Sequence, residues 1–265
     1  MANVRINTLV ILVFLPLVFS NLADASGFIR KAGPLPAVFN VLKFGAVPNG
    51  REDCSEAFVQ AWNAACHHPG GNAMLVVPPG NYMLLPAVFQ GPCTGEVVVQ
   101  VQGKVTGSDD VSEYSENQWI LFENINGLVL TGGGIFNGNG ADTWQYNDCA
   151  TNPSCQPLAA GLRFSNVNKG TIGPLTSLNP QGYHMSLDRC HDFQINGVHI
   201  NAAKTSPYTD GVHISGSTNV GISGSIIATG GNCISAGEGS TGVSVTKVTC
   251  GTRACPNAKA CITSF

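Results

Sequence analysis

One stretch of the chain has helical periodicity. From Ser55 to Cys66 the apolar residues Phe58, Ala61, Trp62 and Ala65 fall on one face, which predicts an amphipathic helix. Asp53 or Ser55 is placed to cap its start. Val41–Ala46 before it reads as a strand, and Met74–Val77 after it as another, stopped by Pro78-Pro79-Gly80. Beyond that point short strands follow, split by glycine and asparagine, and they recur. Phe193–Ile200 returns as Val220–Ile227 and again as Val243–Cys250, at offsets of 27 and 23 residues. A second strand type, Val212-His213-Ile214, returns as Ile234-Ser235-Ala236 at an offset of 22. Self-similarity at this period predicts a solenoid. Units of two or three short strands without a helix point to an all-β fold, a parallel β-helix whose coils stack one strand spacing (about 4.8 Å) apart. A leucine-rich repeat would show regular leucines and an asparagine ladder, and an antiparallel sandwich gives no reason for near-constant offsets. The helix over residues 55–66 then serves as an N-terminal cap. It covers the strand edges and apolar lumen that an open coil end exposes.

Composition narrows the classes. Of 265 residues, 43% are hydrophobic and 11% charged, so the chain can bury a core. A formal net charge of -3 leaves no electrostatic footprint for nucleic acid. The N-terminus reads as a signal peptide over residues 1–25. Arg5 supplies the charge, Leu9–Phe19 the apolar run and Ala23-Asp24-Ala25 a small-x-small cleavage site, with Ser26 as the mature start. That run is short for a membrane span, so no membrane is expected for the mature form. In an oxidising compartment the ten cysteines read as disulfides. Cys149 with Cys155 suits a local bridge, Cys233 with Cys250 spans one repeat, and Cys66 with Cys93 would tie the cap, although spacing does not fix connectivity. Cys255 with Cys261 is a further candidate pair. Neither a zinc-type cysteine spacing nor a cofactor motif occurs, so no metal and no cofactor is expected. His67-His68 reads as a loop pair, with no third ligand spaced near it.

Residues one coil apart form surface columns. Setting Gly211–Ile214 over Cys233–Ala236 places Asp210 under Asn232, and one further step of 22 reaches Ala254. By spacing alone Asp210 reads as a turn aspartate before glycine. The surrounding motifs say more. Ser206–Ile214 resembles Ser-Pro-Asn-Thr-Asp-Gly-Ile-His-Ile, and Thr229–Gly237 resembles Thr-Gly-Asp-Asp-Cys-Ile-Ser-Ile-Gly. Thr176–Asn179, His184-Met185, Asn137–Gly140, Phe39–Ala46 and Asp53–Cys66 fit the same set in order. Over residues 38–251 the chain is similar to the polygalacturonases, glycoside hydrolase family 28, most of all to the plant exopolygalacturonase type.

The resemblance implies a right-handed, pectin-lyase-like coil, secreted to the cell wall, with pectin (α-1,4-galacturonan) as its partner. It implies inverting hydrolysis, in which one carboxylic acid protonates the leaving oxygen and carboxylates opposite activate water. The family's groups are the aspartate of Asn-Thr-Asp, both aspartates of Asp-Asp, a histidine in Gly-His-Gly and an Arg-x-Lys pair for substrate carboxylates. Carried over residue by residue, Asp210 is retained and Tyr208 replaces the motif asparagine. Gly231 stands at the general acid, Asn232 at the second aspartate and Ala254 at the expected histidine. The Arg-x-Lys pair has no counterpart up to Phe265, as expected of a C-terminally truncated member. Tyr208, His184 and His213 are the candidate substrate-binding positions. His213 should face opposite to Val212 and Ile214, more as a surface hydrogen-bonding group than a catalyst. Glu238 lies six residues past Asn232 as a conceivable substitute acid. Residues 26–251 are expected to form one β-helix domain, with 252–265 an irregular tail that does not continue the β pattern. The combined expectation is a monomeric, catalytically impaired or inactive pectin hydrolase. The alternative is a non-enzymatic pectin-binding or structural wall protein. A pectate lyase would need a cluster of calcium-binding acids that the sequence lacks.

Overall fold

The computed structural model describes residues 36–149, 151–251, 253–255 and 261–264. The expected signal segment, residues 1–25, and the start at Ser26 lie outside them. The described chain winds into three sheets of eight, nine and seven strands. Successive coils each add a strand to a sheet, in parallel. The result is a right-handed parallel β-helix, the hand that twisted strands favour for parallel crossovers. Parallel pairing in register turns coil length into sequence offset. Phe193 lies beside Val220 and Ile195 beside Ile222, 27 residues on. Ile222 lies beside Val245, a step of 23, and Val212 beside Ile234, a step of 22.

The seven-stranded sheet carries the site. Its strands are β1 (Ala87–Gln90), β2 (Gln118–Glu123), β3 (Ala160–Ser165), β4 (Met185–Asp188), β5 (Val212–Ser215), β6 (Ile234–Ala236) and β7 (Ile262–Ser264). Side chains alternate across it with the period of two that a strand imposes. Leu162, Phe164, Met185, Leu187, Val212, Ile214 and Ile234 are fully buried in the lumen. Arg163, Ser186, His213 and Ser235 take the opposite face. In the lumen Phe89, Phe122 and Phe164 stack one above the other, with centroids 4.9 and 5.4 Å apart. Such contacts contribute about 0.5–1.5 kcal/mol per pair beyond burial. The corner from this sheet to the next turns on one left-handed residue per coil: Asn124, Asn166, Arg189, Gly216 and Gly239.

Helix α1, Ser55–Cys66, buries Phe58, Ala61, Trp62 and Ala65 as its periodicity predicts. The Trp62 indole N–H donates to the Gln90 carbonyl at 3.0 Å, and its ring packs against Phe89 and Phe122. The N-cap is Cys54, without a side-chain bond, and the Asp53 carboxylate one residue earlier accepts from the Ser55 N–H at 2.9 Å. Two expectations need correcting. Val41–Phe44 is a 3-10 helix rather than a strand, and the strand is Ala37–Asn40. The Asn40 side chain accepts from the Leu42 N–H and turns the backbone, and Gly45, at φ +99°, ends the turn. The stretch expected to break the β pattern holds two short strands. Arg253–Cys255 pairs antiparallel with Val248–Cys250, and β7 pairs parallel with β6. Edge pairing uses backbone N–H and C=O groups, so it does not require an alternating side-chain pattern.

Three of the four candidate disulfides form: Cys66–Cys93, Cys149–Cys155 and Cys233–Cys250. Cys261 is also disulfide-bonded, while the side chain of Cys255 lies outside the described residues. The reading of all ten cysteines as bridged fails at Cys54 and Cys190, which are free and buried. The Cys190 thiol instead donates to the Phe164 carbonyl at 3.5 Å. No described helix is long and apolar enough to cross a membrane.

Candidate active site

Asp210 sits in the turn that leads into β5. The turn is held from below and above. The His184 N–H donates to the Asp210 carbonyl at 2.8 Å, and the Gly211 N–H to the Asn232 carbonyl at 2.8 Å. The Gly161 N–H donates in the same way to the Tyr183 carbonyl. Tyr183, Asp210 and Asn232 therefore stack in one column, as the 22-residue offset predicts for the last two. Buried hydroxyls brace the turn: Thr209 Oγ1 lies 2.7 Å from Thr229 Oγ1, and Ser206 Oγ donates to the Ala203 carbonyl at 2.6 Å. Tyr208 holds a left-handed conformation (φ +52°) and points its ring outward, 46% exposed.

Asp210 is 5% exposed. Oδ1 accepts from the Asn232 backbone N–H at 2.8 Å, and the Asn232 side-chain amide lies 3.3 Å from each oxygen. Asn232 Oδ1 in turn accepts from Thr263 Oγ1 on β7 at 3.0 Å, so the amide nitrogen is turned toward Asp210. A Cβ on Gly231 would lie 2.5 Å from Asp210 Oδ1 and 2.8 Å from its backbone nitrogen. The carboxylate thus occupies the space that a side chain at 231 would enter.

The other sequence candidates separate. His213 points outward from β5, with Nδ1 2.9 Å from Ser235 Oγ and its ring stacked on Tyr183 at 4.5 Å. Burial pushes its pKa down, and the charge of Asp210 opposes that. His184, expected among the substrate-binding positions, is fully buried and does not line the outer groove in this structure. Its Nδ1 lies 2.9 Å from Ser177 Oγ, its Nε2 has no partner, and burial pushes its pKa down to about 3. The turn before β4 breaks the alternation, which leaves His184 and Met185 both facing inward. Glu238 is exposed in the corner beyond β6, and its carbonyl accepts from the Gly216 N–H. With the length of β6 between them, six extended residues span roughly 20 Å, far beyond the reach of an acid to the Asp210 turn. Ala254 does not continue the column, because the chain reverses there and sets Ala254 beside Thr249 in the nine-stranded sheet. The next step in the column runs from Ile234 to Ile262 and is 28 residues.

Two groups were missed by the sequence reading. Tyr183 and Arg163 line an open cleft of about 290 Å³ on the outer face, with Ser186, Asp188 and His213. A smaller cavity of about 210 Å³ adjoins it through Tyr183, Pro157 and Leu158 and reaches Tyr208. The loop that carries Pro157 is tied by Cys149–Cys155. Arg163 was legible in principle, as a polar residue alternating with Leu162 and Phe164. The one described cluster with metal-ligand spacing, Asp148 with Cys149 and Cys155, has both sulfurs in that disulfide and offers no thiolate.

Comparison with known proteins places this arrangement. The profile of the glycosyl hydrolases family 28 matches residues 66–253. An exopolygalacturonase of Zea mays is 34% identical over 250 residues, covering 94% of this chain and 61% of the relative. An exopolygalacturonase of Arabidopsis thaliana is 38% identical over 216 residues, covering 82% and 50%. The chain thus spans about half to three fifths of the length of these relatives. The crystal structure of an endo-xylogalacturonan hydrolase from Aspergillus tubingensis superposes with a TM-score of 0.69 at 21% identity, covering 81% of this chain and 57% of that one, and so shares the fold. The coil, the motif order and the matched profile agree: the chain belongs to the glycosyl hydrolases family 28.

Proposed function

We propose that this chain is a galacturonan-directed member of the family, secreted to the plant cell wall, that holds pectin in its outer groove with its acid–base chemistry disabled. One observation carries the reading. The Asp210 carboxylate is bonded to Asn232 and fills the space beside Gly231, so the column presents a single carboxyl group. Inverting hydrolysis uses two, about 6.5–9.5 Å apart, to protonate the leaving oxygen and to activate water. Asn232 offers an amide, which donates and accepts hydrogen bonds but takes no proton as a base. Each general acid or base is worth about 10²–10⁴ in rate, so with Gly231 and Asn232 at two of the family's three aspartate positions most of the expected acceleration is removed. The names of the relatives support the substrate class, and three described disulfides support an oxidising compartment. The test is release of reducing galacturonic acid from de-esterified polygalacturonan. We expect background rates together with retention on a pectin column. Turnover near that of a full-length family member would overturn the proposal.

A further inference from the structure

We propose that the cleft around Arg163 is a carboxylate-binding site, and that its ligand is a uronate unit of the polymer chain. The ligand identity rests on the galacturonan reading above; the carboxylate chemistry rests on the cleft itself.

Arg163 projects from β3 between the lumen residues Leu162 and Phe164 into the 290 Å³ cleft. Its Nε donor is buried and has no hydrogen-bond partner. Buried donors are normally satisfied, so an orphan at the wall of an open cleft points to an acceptor supplied by what enters it. Asp188 is the only acid that lines the cleft, and it is already committed to Arg189, 2.8 Å away. Among the described residues Arg163 has no ion pair, so its charge is uncompensated. A guanidinium presents a planar fork of N–H donors that matches a carboxylate.

The surroundings select among anions. Register sets Arg163 beside Ser186, and Ser186 beside His213, on adjacent strands of one face. The single cation lies among hydroxyls, with the Tyr183–His213 ring pair on one side and an acid on the other. That balance suits a monoanion bearing hydroxyl groups and disfavours a dianion such as phosphate. Arg163 stands two strand spacings, about 9–10 Å, from His213 along the coil axis. It therefore grips a unit displaced from Asp210, as a position that holds polymer in place.

Calorimetric titration of the full chain separates the possibilities, with a de-esterified galacturonate tetramer and the same tetramer fully methyl-esterified as probes. We expect the wild type to prefer the free acid by about tenfold or more, the scale of a charge-assisted pair. Arg163→Gln should lose that preference, and Arg163→Lys should keep part of it, because the charge remains without the fork. A melting curve for each variant shows whether it is folded. Should Arg163→Gln fail to fold, the preference of the wild type and its loss in Arg163→Lys at high salt carry the test. Equal binding of acid and ester by the wild type, or an unchanged preference in folded Arg163→Gln, overturns the site. A wild type that binds neither tetramer overturns the galacturonan reading instead.

Discussion

The hydrogen bonds to the Asp210 carboxylate come from Asn232, one coil away, and this exchange of partners changes what substitutions do. A side chain at 231 now meets Asp210 Oδ1 and its backbone nitrogen. We expect Gly231→Ala to cost about 1–3 kcal/mol, the usual scale of overpacking. For a chain of this size that is a fall in Tm of roughly 2–10 °C. Unchanged melting would show that the carboxylate moves aside freely. On the proposed reading, Gly231→Asp alone should release no more galacturonic acid from polygalacturonan than the wild type does. His184 makes a separate prediction. In the unfolded chain it titrates near 6.5, and in the folded chain burial holds it neutral down to about 3. Between these values the unfolded state takes up a proton that the folded state refuses. Its contribution is whole above pH 6.5 and falls as pH drops, by about 1.4 kcal/mol per unit at most. Urea midpoints of wild type and His184→Asn from pH 7 to 4 should show a flatter profile in the variant. Equal slopes would contradict this.

Among the elements, the loop around Cys149–Cys155 has the clearest separable role, since its Pro157 and Leu158 wall both cavities. The bridge closes a loop of only six residues, outside the lumen, so it constrains the unfolded chain little. Replacing both cysteines by serine should weaken tetramer binding severalfold while moving Tm by only a few degrees, read by titration and by calorimetric melting. A large drop in Tm with unchanged affinity would reverse the assignment. The elements also show what a sequence discloses. Helix α1 was legible to the residue because four apolar side chains keep one face. The registers of Phe193 with Val220 and Val212 with Ile234 were legible because in-register parallel stacking equates offset with coil length. Val41–Phe44 was not, because one asparagine side chain overrides an apolar run that suits a strand. The inward turn of His184 was hidden for a related reason, since alternation holds within a strand and lapses in the residue before it. The cleft of Arg163 and Tyr183 was not legible, because it is built by neighbours on adjacent coils 20 and more residues apart.

Across the whole molecule, coils contact mainly the coils beside them, so local opening need not unfold the rest. Cys54 and Cys190 sample two places in that stack, one beside α1 and one between β4 and the following strand His191–Asn196. Both thiols are shielded, at 2% and 0% exposure. Burial raises both pKa values, that of Cys190 to about 11, so little reactive thiolate forms at neutral pH. Each is a chemically silent witness that speaks only when its own coil parts. Alkylation under native conditions, followed residue by residue in a mass spectrometer, should modify Cys54 before Cys190 if the fold frays from its cap inward, and both at one rate if it opens all at once. These two free sulfurs, set among bridged cysteines in the described residues, thus make the chain its own recorder of where unwinding begins.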